Sequence, residues 1–132
     1  MKLTILRLQH LTAQDRLDLA KIWPDADITA LANSLDEHHQ LYAAKFNDRL
    51  LAAVHVHLHD TQGQLKAFMV REVTRRRGVG SYLLEEVLAQ NPAIGQWWIE
   101  DRGNEDRQAL AMFMQKHRFD VQPGGWIYRQ PE

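Results

Sequence analysis

No cysteine occurs anywhere in the 132 residues. Disulfides, thiolate nucleophiles and thiolate metal sites are therefore excluded together, and any catalysis must use other groups. An excess of charge of either sign is missing as well: 16 Lys and Arg stand against 17 Asp and Glu, a formal net charge of -1. General nucleic-acid binders carry basic domains or stripes, so this balance argues against one. No apolar run approaches the roughly 20 residues that a membrane span requires. The opening Met1-Lys2-Leu3-Thr4-Ile5-Leu6-Arg7 sets a charge where a signal peptide would continue its apolar stretch, which predicts a cytoplasmic protein with no membrane partner. Repeats and low-complexity segments are also lacking.

What is present is the makeup of one ordinary folded domain. The chain is 45% hydrophobic and 25% charged, close to soluble globular proteins, and its length leaves room for a single domain over residues 1–132. Lys2 to Gln9 alternates apolar and polar residues and reads as a strand. Thr12 and Asp15 have the spacing of a helix cap, Leu17, Leu19, Ala20 and Ile22 supply an apolar face, and Pro24 ends the helix. A short second helix is predicted from Asp27 to Leu35, then a polar connection through His38 and His39. Leu41–Phe46 and Leu50–His59 form a hairpin around Asn47-Asp48-Arg49. A turn at Thr61-Gln62-Gly63-Gln64 leads to a third strand, Leu65–Val73.

From Val79 the spacing of Leu83, Leu84, Val87 and Leu88 is helical, and Asn91-Pro92 stops it. Gln96–Glu100 reads as a strand, Glu105–His117 as a helix with Leu110, Met112 or Phe113, and Met114 facing inward, and Phe119–Val121 and Trp126–Tyr128 as terminal strands. This order predicts an α/β (α+β mixed) architecture, a mixed sheet with helices on its faces.

The chemistry concentrates where the third strand meets the strongest helix, at Thr74-Arg75-Arg76-Arg77-Gly78-Val79-Gly80-Ser81. A glycine-containing loop at a helix start gathers unpaired backbone N–H groups, and the helix dipole adds about half a positive charge there. Gly78 and Gly80 lack the Cβ that would hold a phosphate off the backbone, three arginines add charge and Ser81 a hydroxyl. A pyrophosphate fits these groups. The lysine of a Walker loop and the third glycine of a Rossmann turn are both missing.

Arg75 to Gly80 resembles the R-x-x-G-x-G/A acyl-CoA loop of the GNAT superfamily, and the element order is similar to that fold across most of the chain. The resemblance implies acetyl-CoA or CoA as ligand, held in a V-shaped opening between two splayed strands. Backbone groups of Phe68, Met69 and Val70 would pair with the pantetheine arm, and Thr74 to Ser81 would hold the pyrophosphate. The superfamily's proton-donating Tyr would fall at Met114, and the glycine of its terminal G-F at Arg118. Met donates no proton, and Leu65–Val70 carries no Asp, Glu or His. Tyr82, Glu72 and His117 are the residues left to substitute. No catalytic residue is assigned, and ligand sensing is favoured over an N-acetyltransferase acting on a small amine or protein amine, which stands as the alternative.

A more specific resemblance is carried by Lys2–Ile5, Asp15-Arg16, Lys21–Pro24, Phe46–Val54, Val70–Gly80 and Gly124-Gly125-Trp126, which are similar to the PanZ (PanM) family over nearly the whole chain. This implies a partner, aspartate 1-decarboxylase, whose zymogen such proteins help to cleave itself and whose mature form they regulate with CoA thioester bound. Partner contacts implied by the resemblance are Lys45, Asn47, Arg71 and Arg76; Lys45 stands where the family usually has Arg and loses its planar two-point hydrogen bonding. The free protein is expected to be monomeric.

Three further features stand apart from that loop. His55, His57 and His59 alternate on one strand face, predicted to be solvated, although three imidazoles also form a donor set for a transition metal. Trp97 and Trp98 must point to opposite sheet faces, one into the core and one available as a partner anchor. Trp23 is expected in the core.

Overall fold

The strand–turn–strand pattern of residues 39 to 70 builds the centre of the molecule. In a computed structural model, which describes residues 3–46, 49–70, 78–100 and 107–129, β2 (His39–Phe46), β3 (Arg49–His59) and β4 (Gln62–Val70) form an antiparallel meander. β1 (Thr4–Arg7) joins the outer edge of β2. On the other side β5 (Gln96–Glu100) runs parallel to β4, followed by β7 (Gly125–Arg129) and β6 (Asp120–Gln122), both antiparallel. The sheet order is β1-β2-β3-β4-β5-β7-β6. The helices are α1 (Ala13–Ile22), α2 (Ile28–Ser34), α3 (Val79–Gln90) and α4 (Arg107–Lys116). None of the described helices is long and apolar enough to cross a membrane.

Two cores sit on opposite faces of this sheet, as the period-two alternation of strands requires. Tyr42, Ala44, Val54, Val56 and Leu65 point to the face covered by Leu83, Leu84 and Val87 of α3 and Met114 of α4. Leu41, Ala43, Leu50 and Ala53 point to the other face, covered by Leu19 and Ile22 of α1 and Leu31 of α2. Because β2 and β3 are covered on both sides, their central residues are small: Ala43, Ala44, Ala52 and Ala53 are fully buried. Trp23 lies in the second core, and Trp97 is fully buried in the first.

Several sequence expectations are met with a definite cause. Thr12 Oγ1 accepts from the Asp15 N–H at 3.0 Å while Asp15 Oδ2 accepts from the Thr12 N–H at 3.1 Å, a reciprocal cap for α1. Asp27 caps α2 through the Ala30 N–H at 3.0 Å.

Two expectations are corrected. Leu17 is 61% exposed and Ala20 is exposed, whereas Asp15 and Asp18 are buried. With Leu19 and Ile22 against the sheet, helical geometry brings residues 15 and 18 to the same side and turns 17 and 20 outward. The second hairpin turn is Asp60-Thr61 rather than 61–64: β4 begins at Gln62, which pairs with His59, and Asp60 takes a left-handed backbone (φ 55°) that permits so short a loop. Gly63 consequently lies within the ladder opposite Trp97, where a Cβ would come within 2.6 Å of the indole ring, so it is a packing glycine. Met112 is 65% exposed, while Met114 is buried and Phe113 packs against the core; Leu110's side chain lies outside the description.

Candidate ligand site and partner face

β4 and β5 pair over four positions only, Gln62↔Gln96 through Leu65↔Ile99. Beyond Leu65, β4 continues to Val70 and pairs with β3 on one side, Met69 with Ala53 and Val70 with Ala52. The β4/β5 ladder ends at Leu65, and beyond it the two strands do not pair among the described residues. Where two neighbouring strands part, an extended amide-bearing chain can enter and hydrogen-bond as if it were another strand. Phe68 and Met69 are half-buried here, Phe68 toward the α3/α4 core and Met69 toward the α1/α2 core.

The start of α3 lies on the same connection between β4 and β5. Its cap is Gly78, in the left-handed region at φ 74° and ψ 11°, with no side-chain hydrogen bond to the first turn. The Tyr82 N–H is the first to close back, onto the Gly78 carbonyl at 3.0 Å, so the N–H groups of Val79, Gly80 and Ser81 precede the first intrahelical bond. Among the described residues no side-chain oxygen caps these donors, and donors at such a helix start can bind an anion. Val79 and Gly80 are buried. Thr74, Arg75, Arg76 and Arg77 lie outside the described residues.

One contact at this turn was not anticipated. His117, just past the end of α4, places its Nε2 2.9 Å from Ser81 Oγ. Its imidazole packs on the Phe113 ring at 4.7 Å, and Phe113 in turn meets Phe68 at 5.7 Å. An unbroken row of contacts, Phe68–Phe113–His117–Ser81, thus connects β4 to the first turn of α3. Burial pushes the His117 imidazole below its ordinary pKa, a trend that Glu85 opposes and Lys116 assists. The sequence carried no local signal for the pair, because 36 positions separate its members.

The other groups considered for proton transfer stand elsewhere. Met114 is fully buried, a side chain packed into the core with no hydrogen to give. Tyr82 is 38% exposed on α3, and Glu72 lies outside the described residues. Arg118 occupies the left-handed region at φ 67°, and the N–H groups of Arg118 and Phe119 close onto Gln115 O and Met114 O at 3.0 and 2.9 Å. This is the hydrogen-bond pattern of a Schellman ending, with Arg where glycine is usual.

Of the residues expected to meet a partner, Lys45 is half-buried near the end of β2, beside an irregularity in register at Ala44/Lys45. Asn47 and Arg71 fall outside the described residues, as does Arg76. The hairpin base is nevertheless fixed. Arg49 donates from Nε and Nη2 to Asp18 Oδ1 at 2.9 and 2.8 Å, and the Leu50 N–H donates to Asp18 Oδ2 at 3.0 Å. Burial pushes the Asp18 carboxyl up, but the hydrogen bonds from Arg49, Leu50 and Gln14 together with the Arg49 charge outweigh it and hold it below the usual value.

Of the histidine stripe expected to be solvated, His59 is exposed at 86% of its side chain, whereas His55 and His57 are half-buried. Trp23 meets the His55 ring edge-on at 4.6 Å, and His57 stacks on His39 at 4.4 Å with 21° between the planes. Stacked rings turn their nitrogens alongside one another rather than toward a common centre, and no described group of three or more His, Asp or Glu is arranged to hold a metal. Asp36 accepts from His39 Nδ1 at 3.0 Å and from the backbone N–H groups of His38 and His39, which hold its carboxyl at about 2. Trp98 is half-buried over Gly125, where a Cβ would come within 2.7 Å of its ring.

A family model described as "Acetyltransferase (GNAT) domain, PanZ" matches residues 2–127. The chain belongs to the PanZ family. A relative from Salmonella typhimurium, described as a PanD regulatory factor, is 56% identical over 129 residues, covering 98% of this chain and all of the relative. A PanZ-family relative from Escherichia coli K12 with the same description is 56% identical over 126 residues, 96% of this chain and 98% of its own. Among solved structures, E. coli YhhK bound to coenzyme A superposes with a TM-score of 0.89 at 54% identity, covering 98% of this chain and all of that one. The PanZ chain therefore has the GNAT fold.

Proposed function

We propose that this protein is a CoA-thioester-dependent activator and regulator of PanD, the aspartate 1-decarboxylase, and that it promotes self-cleavage of the PanD zymogen. The observation that carries the reading is the parting of β4 from β5 after Leu65, beside an α3 start whose Gly78 cap makes no side-chain hydrogen bond, in a chain 56% identical to proteins described as PanD regulatory factors. Acetyl-CoA or CoA would lay its pantetheine arm along Phe68, Met69 and Val70 and its pyrophosphate against Thr74 to Ser81. Lys45, Asn47, Arg71 and Arg76 would meet PanD.

An activator of a self-cleaving chain has no need of its own acid or base. Binding the reactive conformation more tightly than the resting one shifts the population, by no more than that difference in affinity. The buried Met114 and the lack of Asp, Glu or His in residues 65–70 agree with such a role.

The test mixes the protein with uncleaved PanD from the same source, with and without acetyl-CoA, and follows chain cleavage by mass spectrometry. Faster cleavage that requires acetyl-CoA is expected, with Arg76→Ala weakening acetyl-CoA binding by about tenfold. Acetyl-CoA binding without any complex or acceleration would replace this reading with an N-acetyltransferase.

A further inference from the structure

We propose that His117 is a positioning residue that couples binding of the ligand's pyrophosphate to uptake of a proton, acting through the Ser81 hydroxyl at the first turn of α3. The inference rests on the reading of that turn as the CoA site. Its basis is the 2.9 Å contact between His117 Nε2 and Ser81 Oγ, made by an imidazole whose side chain is only 7% exposed.

A serine hydroxyl has a single proton to donate, and an imidazole nitrogen either donates or accepts according to its protonation. Glu85 Oε1 stands 4.0 Å from His117 Nδ1, which favours the neutral tautomer with its hydrogen on Nδ1. Nε2 is then an acceptor. The Ser81 proton goes to the ring, and the hydroxyl turns only lone pairs toward the start of α3, where they repel phosphate oxygens. When the ring takes up a proton, Nε2 donates to Ser81 Oγ. The hydroxyl hydrogen is released toward the phosphate, and a positive charge stands behind it.

Burial disfavours the charged ring in the free protein, whereas a bound pyrophosphate favours it. Among the described residues, the charged groups facing His117 are Glu85 from α3, which favours the imidazolium, and Lys116 on its own helix, which opposes it. Phe113 supplies an uncharged ring face. The pair adds a positive charge to the site only when the ring is protonated. Ligand affinity then rises as pH falls through the bound-state pKa of His117.

The test measures binding of 3′-dephospho-CoA by isothermal titration calorimetry between about pH 8 and pH 6. This probe keeps the pyrophosphate and lacks the monoester, which itself titrates near about pH 6. Affinity is expected to rise about three- to tenfold over that span, with net proton uptake on binding. His117→Gln keeps a donor for Ser81 but cannot titrate, so its profile should be flat. Ser81→Ala should weaken binding more at the lower pH than at the higher. An equal slope in wild type and His117→Gln overturns the proton linkage and leaves the CoA site standing; no binding of either dephospho-CoA or CoA at any pH overturns the site itself. NMR titration of His117 in the unaltered protein decides the matter without variants: its midpoint should move up when dephospho-CoA binds, and an unmoved midpoint refutes the proposal.

Discussion

The N-terminus of α1 and the N-terminus of α3 solve the same problem in opposite ways. Each helix begins with backbone N–H groups that have no intrahelical acceptor. At α1, Thr12 and Asp15 satisfy two of them reciprocally, and Asp18 one turn later reaches across to Arg49 and Leu50. At α3, the cap is Gly78, which makes no side-chain hydrogen bond to the first turn. Polar groups spent on the chain itself give rigidity, whereas a helix start that its cap side chain does not serve can offer its donors to an anion. The first region holds the hairpin that carries Lys45; the second is the proposed CoA site.

The largest effect should come from breaking the finished region. Asp18 is fully buried, and Asp18→Ala strands the Arg49 guanidinium and the Leu50 N–H, at a cost of about 3 kcal/mol by urea unfolding. The same carboxyl has a sign in pH. Its folded pKa lies below the ordinary 3.8, so its contribution is complete above that value and is lost as pH falls through the folded pKa. Asp18→Asn should flatten this acid limb of the stability curve.

Next in size is the unfinished region. Gly78→Val forces a β-branched residue to φ 74°, costing about 1–2 kcal/mol of stability and more than about tenfold in acetyl-CoA affinity. Stability and binding measured on the same variant separate the two effects: at α1, Thr12→Ala should lower stability by about 1 kcal/mol and leave CoA affinity unchanged. Smallest is a gain. Arg118 holds a left-handed backbone at φ 67° that glycine adopts freely, so Arg118→Gly should raise stability by about 0.5–1 kcal/mol in thermal unfolding.

How much of this was legible in the sequence follows from the range of each signal. The β2–β3 hairpin, the caps at Thr12 and Asp27 and the helical run of Leu83, Leu84 and Val87 are set by neighbours a few residues apart, and each formed as its pattern dictates. Gly63 misled, because a glycine near a polar turn looks like part of it; only the Trp97 ring across the ladder shows that it is there for space. Asp18 was equally hidden, since a carboxylate on an amphipathic helix reads as solvent-facing until Arg49, 31 positions away, is brought beside it. The proposed phosphate loop, Arg75 to Gly80, is read from contiguous residues, of which Arg75 to Arg77 lie outside the described ones. His117 was noticed only as a spare base, and its link to Ser81 depends on how α4 packs against α3.

The narrow seam between β4 and β5 bears on how the molecule comes apart. Seven strands are joined by antiparallel ladders except at this one parallel junction of four residue pairs, so the sheet is two modules, β1 to β4 and β5-β7-β6, stitched by a short seam and the crossover through α3. Subglobal opening should begin along that seam. A guest seated between the strands would act as a suture, and amide hydrogen exchange in β5 and β7 would then slow on binding although neither strand need touch the pyrophosphate.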